Sequence, residues 1–175
     1  MRGAAPPKTG LLERLAVKIG ATMEIVDGVP WKKIRKYRAG DHARAERRNV
    51  LGVAEMARDA GAQVVLFVRD RDGDESRGRE IETAIPDAEQ IHGMRIAGGV
   101  AIEEIEAWLL ALLGESDSEK HKNAKEVLTK RGHSTLEQKL AIVDGGELGR
   151  IPADARSLAQ WLERCRIAFQ GDPKP

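Results

Sequence analysis

Three aspartates at alternate positions, directly after an apolar run, form the group in this sequence best suited to chemistry. They are Asp70, Asp72 and Asp74, and Gly73 allows the chain to turn between them. Carboxylate oxygens are the ligands that Mg²⁺ prefers, and carboxylates so close in the chain repel one another unless a cation or arginines lie beside them. The pattern predicts either a divalent-metal site or a turn in which aspartates cap the next helix and pair with Arg71, Arg77 and Arg79.

The spacing of these aspartates also suggests the calcium loop of an EF-hand. That loop requires glycine at its sixth position and glutamate at its twelfth. This chain has Glu75 and Ile81 there, so the sequence excludes an EF-hand.

A second acidic group lies at Glu103, Glu104 and Glu106, inside a segment whose periodicity predicts a helix over residues 101–113. The apolar stripe of that helix consists of Ile102, Ile105, Leu109, Leu112 and Leu113. Glu106 falls at the edge of the stripe, and a carboxylate at a core boundary needs a partner because an isolated buried charge is costly. Two interpretations stay open: a metal ligand, or a boundary glutamate paired with a basic residue.

Residues 31–48 are strongly basic, and residues 70–89 are rich in acids. The candidate phosphate-binding residues are Lys32, Lys33, Arg35, Lys36, Arg38, Arg47 and Arg48. The asymmetry fits a polyanion-binding surface beside a cation site, but it also fits two solvated faces that pair with each other, and charge alone favours the second. Trp31 and Tyr37 lie within the basic run, where they either stack on bases or pack against the core.

The elements that must position these residues alternate between helix and strand. Residues 63–68 form a continuous apolar run, which predicts a strand buried on both faces in a parallel sheet. Helices are predicted over 11–19, from Asp41 to Gly61, near 78–85, and over 119–130, 135–143 and 155–169. Further strands are predicted over 22–26 and 89–96, and Gly98-Gly99 is predicted to break the chain.

The fold class predicted from this order is α/β: a small, mostly parallel sheet with helices on both faces and a helical C-terminal appendage. Ligands of such sheets bind beyond the carboxyl ends of the strands, which is where Asp70 and Asp72 follow the apolar run.

Composition limits the class of protein. The chain has 175 residues, 41% of them hydrophobic, and a net charge of +1, which excludes collagen, simple disorder and a disulfide scaffold. Its apolar runs are too short to cross a bilayer, and its first residues lack the apolar core of a secretory signal. Cys165 is the one cysteine, so no internal disulfide forms and a reducing cytoplasm is expected.

Two stretches together resemble a known family. They are Val-Val-Leu-Phe-Val-Arg-Asp-Arg-Asp-Gly-Asp at 64–74 and Ile-Glu-Glu-Ile-Glu-Ala-Trp-Leu-Leu at 102–110. This combination resembles the TOPRIM-like proteins of bacteria, in particular uncharacterised families with an Asp-x-Asp strand end and a Glu-Ala-Trp motif. The resemblance implies a TOPRIM-like α/β domain over 1–114 and a helical extension over 115–175 packed on the same domain.

The resemblance also implies a function. TOPRIM domains occur in topoisomerases, primases and nucleases, where acids hold Mg²⁺ or Mn²⁺ for phosphodiester chemistry on DNA or RNA. By this resemblance Asp70 and Asp72 are metal ligands and catalytic residues, and Glu106 is the catalytic acid of the Glu-Ala-Trp motif and a further candidate ligand. The spacing of the aspartates makes Asp74 a candidate metal ligand as well.

The sequence departs from that family at its start. TOPRIM chains begin with an apolar strand that ends in Glu-Gly, and here Met1-Arg2-Gly3 comes shortly before the first predicted helix. The expectation is a domain without its first strand. This leaves a second hypothesis, a catalytically impaired interaction subunit that works with a partner ATPase in a defence complex, and a third, simple nucleic-acid binding through the basic segment.

Overall fold

The computed structural model describes residues 10–35, 37 and 44–170. Over these residues the chain forms seven α-helices and two β-strands. The helices are α1 (Leu11–Lys18), α2 (Ala45–Asp59), α3 (Glu75–His92), α4 (Glu106–Leu112), α5 (Ala124–Lys130), α6 (Leu136–Gly145) and α7 (Arg156–Gln170). The strands are β1 (Val64–Asp70) and β2 (Arg95–Ala101). The predicted α/β class with a helical C-terminal region is therefore confirmed.

The two strands run parallel, joined by the crossover helix α3. Their register pairs Val64 with Arg95 at one end and Asp70 with Ala101 at the other. Both strands thus end at the same edge of the sheet, which we call the carboxyl edge. Asp70 ends β1 at this edge, and the segments that follow the two strands carry the other acidic residues considered for a metal site.

Hydrophobic clusters cover both faces of the sheet, as the unbroken apolar run predicted. Val65 and Phe67 belong to a cluster with α2 and α3. Val64, Leu66 and Val68 pack against the other cluster, which draws on α1 and on α4 to α7. The strand buries both faces because successive side chains point to opposite sides of the sheet.

The larger cluster is continuous from the first helix to the last. It contains Leu15 of α1, Trp108 of α4, Leu128 of α5 and Trp161 of α7. The Trp108 and Trp161 rings lie 5.6 Å apart, and Trp108 Nε1 donates a hydrogen bond to Ser157 Oγ at 2.7 Å. These contacts hold α4, which begins at Glu106, firmly against the C-terminal region.

Several predicted boundaries were wrong. Residues 89–92 complete α3, which runs through Pro86, ends at His92 and is capped by Gly93 in the left-handed conformation. The second strand therefore begins at Arg95 and includes Gly98-Gly99. Residues 22–26 form no strand. The helix predicted over 101–113 shortens to α4, because Glu103 takes a positive φ of 62° in the loop that precedes it. Asp41, predicted to start the second helix, lies outside the described residues.

None of the helices in the described ranges is long and apolar enough to span a lipid bilayer.

Candidate metal site at the carboxyl edge

Asp70 is the last residue of β1 and lies half-buried at the carboxyl edge. Its Oδ1 accepts a hydrogen bond from the backbone N–H of Ile105 at 2.9 Å, which ties the end of β1 to the residue before α4. Burial is the main cause that raises the pKa of Asp70, and the Ile105 N–H opposes it. The carboxylates of Asp72, Glu106 and Glu104 raise this pKa further. Four carboxylates therefore share one electrostatic environment.

Asp72 sits in the turn that follows β1, with φ of 50° and Gly73 beside it at 72°. An aspartate tolerates this left-handed conformation better than most side chains. The Asp72 N–H donates to the Glu103 carbonyl at 3.3 Å, which fixes the turn against the loop after β2. Its carboxylate is more than half exposed and accepts a hydrogen bond from Arg77 Nη1 through Oδ2 at 2.8 Å.

Asp74 does what the capping interpretation predicted. It is the N-cap of α3, and its Oδ1 accepts hydrogen bonds from the Ser76 N–H at 3.0 Å, the Arg77 N–H at 3.2 Å and the Ser76 hydroxyl at 2.7 Å. These donors hold the pKa of Asp74 below its usual value. Its assignment as a metal ligand stays a prediction, but one of its oxygens is already committed to the helix.

Glu106 is the first residue of α4 and forms an ion pair with Lys139 of α6. The Glu106 Oε1 to Lys139 Nζ distance is 2.6 Å, and both side chains are largely buried, with 13% and 15% of their surfaces exposed. The second interpretation of Glu106, a boundary glutamate with a basic partner, describes this contact. Lys139 played no part in the sequence prediction, because nothing local in the sequence links it to a residue 33 positions earlier.

The remaining two glutamates are also engaged. Glu103 Oε1 lies 3.1 Å from Arg71 Nη2, and Glu104 Oε2 accepts the Lys125 N–H at 3.0 Å. Within the described ranges, no three histidine, cysteine, aspartate or glutamate side chains are arranged to hold a metal ion.

Arg77 organises the loop between β1 and α3. Its Nη1 lies within hydrogen-bond distance of the Asp70 and Arg71 carbonyls, at 2.9 and 3.1 Å, as well as of Asp72 Oδ2. Its Nε lies 3.2 Å from Glu46 Oε1 on α2. One guanidinium thus fixes both the backbone that presents the two aspartates and the carboxylate of Asp72.

The arginines described in the basic segment are engaged within the chain, two of the candidates with acids and one with a carbonyl. Arg47 forms an ion pair with Asp87, Arg35 contacts Glu55 and Asp59 at 3.3 Å each, and Arg48 Nε donates to the Tyr37 carbonyl at 3.2 Å. Lys32 and Lys33 are exposed, with no carboxylate among the described residues within 4 Å. Lys36 and Arg38 lie outside the described residues. Nucleic-acid binding by these seven residues stays a prediction.

The aromatic residues of that segment pack inward. The Trp31 ring lies 5.2 Å from that of Phe67, and its Nε1 donates to Glu46 Oε2 at 2.8 Å. Tyr37 makes an edge contact with His92, with ring centroids 5.2 Å apart. Packing, and not base stacking, is the role that these contacts support.

Cys165 is buried in α7, and burial raises the pKa of its thiol to about 12. A thiol with that pKa holds almost no thiolate at neutral pH, so Cys165 is a packing residue.

No family model, no curated protein and no solved structure matches this chain. The function of the chain is therefore argued from the chemistry of the candidate site. The donors fit a magnesium ion in the form that Mg²⁺ commonly takes, held by one or two carboxylates while most other ligand positions go to water and substrate phosphate. Asp70 and Asp72 can supply such a pair, because each has a carboxylate oxygen outside the hydrogen bonds described above.

Proposed function

We propose that this protein carries out Mg²⁺- or Mn²⁺-dependent phosphodiester chemistry on nucleic acid, as a TOPRIM-like nuclease. One observation carries the proposal: a half-buried aspartate at the carboxyl edge whose pKa is raised by burial and by three neighbouring carboxylates. Such a group is costly to keep ionised, and a bound divalent cation offsets that cost. The position supports the proposal too, because ligands of open parallel sheets bind beyond the carboxyl ends of strands.

In the proposed site, Asp70 and Asp72 bind the metal ion. Bound Mg²⁺ or Mn²⁺ polarises a phosphate oxygen and lowers the pKa of a bound water. Arg77 holds the two aspartates in place through the Asp70 carbonyl and Asp72 Oδ2. Of the predicted phosphate-binding residues within the described ranges, Lys32 and Lys33 are the ones that are exposed and carry no ion pair with a described residue, so their charges are open to a phosphate backbone.

The experiment is cleavage of single-stranded and double-stranded DNA and RNA with Mg²⁺ or Mn²⁺. Asp70→Asn and Asp72→Asn are expected to lower the cleavage rate at least about 100-fold, because each removes a charged metal ligand while conserving side-chain size. Asp27→Asn, at an exposed loop position, is the matched control and should cleave at the wild-type rate. Equal cleavage by wild type and both edge variants would refute the proposed site.

A second candidate function is a catalytically impaired TOPRIM-like subunit that works with a partner ATPase. It is favoured by the internal pairing of the edge, in which Glu106 binds Lys139 and Asp72 binds Arg77. Such pairs can satisfy an acidic edge without a metal ion. This function predicts that the purified chain does not cleave alone, whereas cleavage of any of these substrates by the chain alone would argue against it.

A further inference from the structure

Lys139 brings a cation from the C-terminal helical region to the carboxyl edge. It lies near the start of α6, which is fixed by a capping box in which Thr135 and Gln138 bond to each other's backbone N–H groups. From there its ammonium reaches Glu106 Oε1 at 2.6 Å, and its side chain is only 15% exposed. A lysine buried to this extent needs a charged partner, since a buried ammonium without one is costly.

The pair lies beside the proposed metal ligands. Asp70 Oδ1 accepts the N–H of Ile105, the residue before Glu106, at 2.9 Å, so the start of α4 lies against the end of β1. In sites with two metal ions, the ions lie about 3.5–4 Å apart and both need carboxylate ligands. While Lys139 holds Oε1, that oxygen of Glu106 is not open to a second divalent ion.

We propose that the Lys139 ammonium takes the position of a second cation, so that the carboxyl edge binds one divalent ion, at Asp70 and Asp72, and not two. The inference rests on the proposed function. It accounts for the buried pair, in which a lysine of the C-terminal region meets a glutamate at the carboxyl edge. Lys139 is thus a positioning residue, which fixes Glu106 and sets the number of ions.

The chemistry of lysine suits this role. An ammonium is a compact point charge with three donors, so it can hold a glutamate and a nearby anion at once. The donors of an arginine lie in one plane and favour bidentate binding of a single carboxylate. The C-terminal helices would then be part of the site as well as of the core. Removing the lysine charge should leave Glu106 unpaired beside Asp70, with a free oxygen for a second ion.

The test is the number of Mn²⁺ ions bound per chain, measured by electron paramagnetic resonance and by titration calorimetry on the full protein without nucleic acid. Wild type is expected to bind one ion. Lys139→Met is expected to bind a second ion, or to bind the first at least tenfold more tightly. Glu106→Gln with Lys139→Met should return to one ion of wild-type affinity, because the carboxylate that the lysine released is gone. Lys130→Met, at an exposed position of α5, is the control.

The outcomes separate this inference from the proposed function. One ion in wild type with unchanged number and affinity in Lys139→Met would overturn the role of Lys139 and leave the proposed function standing. Two ions in wild type would overturn the inference alone, and none in wild type would overturn both. If Lys139→Met fails to fold, Lys139→Leu, which also removes the charge and the donor, carries the same expectation.

Discussion

Arg77 is the residue on which the arrangement of the two aspartates depends most. Its guanidinium bonds to two carbonyls and one carboxylate of the loop after β1, and it lies beside Glu46 on α2. Only 19% of its side chain is exposed, so water cannot replace these bonds fully. The geometry of the proposed metal ligands is thus set from the first turn of α3.

Arg77→Met is therefore expected to destabilise the fold by about 2 kcal/mol, because it leaves carbonyl and carboxylate groups without their charged donor. The measurement is urea unfolding followed by circular dichroism. Arg79→Met, on the same helix but exposed, is the control and should change stability by less than about 0.5 kcal/mol. Equal effects of the two substitutions would contradict the organising role of Arg77.

The sequence placed Arg77 among the arginines expected to pair with the aspartates, and Arg77 contacts Asp72, but it did not predict the partners of the glutamates. The end of an apolar run predicted where Asp70 and Asp72 would lie, since strand ends are visible in the hydrophobic pattern. The partner of Glu106, Lys139, is visible only in the folded structure. Lys139 and Lys125 come from distant parts of the chain, and a single sequence carries no signal that brings them to this edge.

At the scale of elements, the prediction that a glycine pair interrupts the chain was wrong, and the packing around β2 explains why. Gly98 and Gly99 were expected to break the chain, yet both lie within the strand. A Cβ at Gly98 would collide with the Phe67 ring on β1, and one at Gly99 would meet Trp161 Cδ1 at 3.2 Å. These glycines are there because aromatic side chains pack directly on the strand backbone, which is a tertiary reason that local propensity does not show.

Gly98→Ala is expected to destabilise the protein by about 1–3 kcal/mol, because the added methyl group must displace a packed aromatic ring. Gly78→Ala is the matched control, since that glycine lies within α3 and a methyl group there would have no neighbouring atom within 4 Å. It should stabilise by about 0.5–1 kcal/mol through helix propensity. The measurement is thermal unfolding of the two variants beside wild type, and a stabilising Gly98→Ala would contradict the packing described for β2.

At the scale of the whole molecule, the net charge of +1 conceals internal pairing. The basic and acidic segments meet between α2 and α3, where Arg47 pairs with Asp87 and Arg44 contacts Glu80 at 3.1 Å. The α/β class and the C-terminal helices were predicted from the hydrophobic periodicity, because the pattern of buried side chains is visible in the sequence. Pairing between the basic and acidic segments was the interpretation that the charge distribution favoured, but the individual pairs were not predicted, because a single sequence does not show which charges meet.

A metal ion at Asp70 is the central claim, and its most direct measurement is thermal unfolding of wild type and Asp70→Asn with EDTA and with Mg²⁺. In EDTA at pH 7 the variant should melt higher, because burial and three neighbouring carboxylates disfavour the ionised aspartate while asparagine keeps the Ile105 bond. Mg²⁺ at about 100 times its Kd should raise the melting temperature of wild type by roughly 5–10 °C, which corresponds to about 2.7 kcal/mol, and leave the variant unchanged. Equal responses of the two proteins to Mg²⁺ would contradict the central claim.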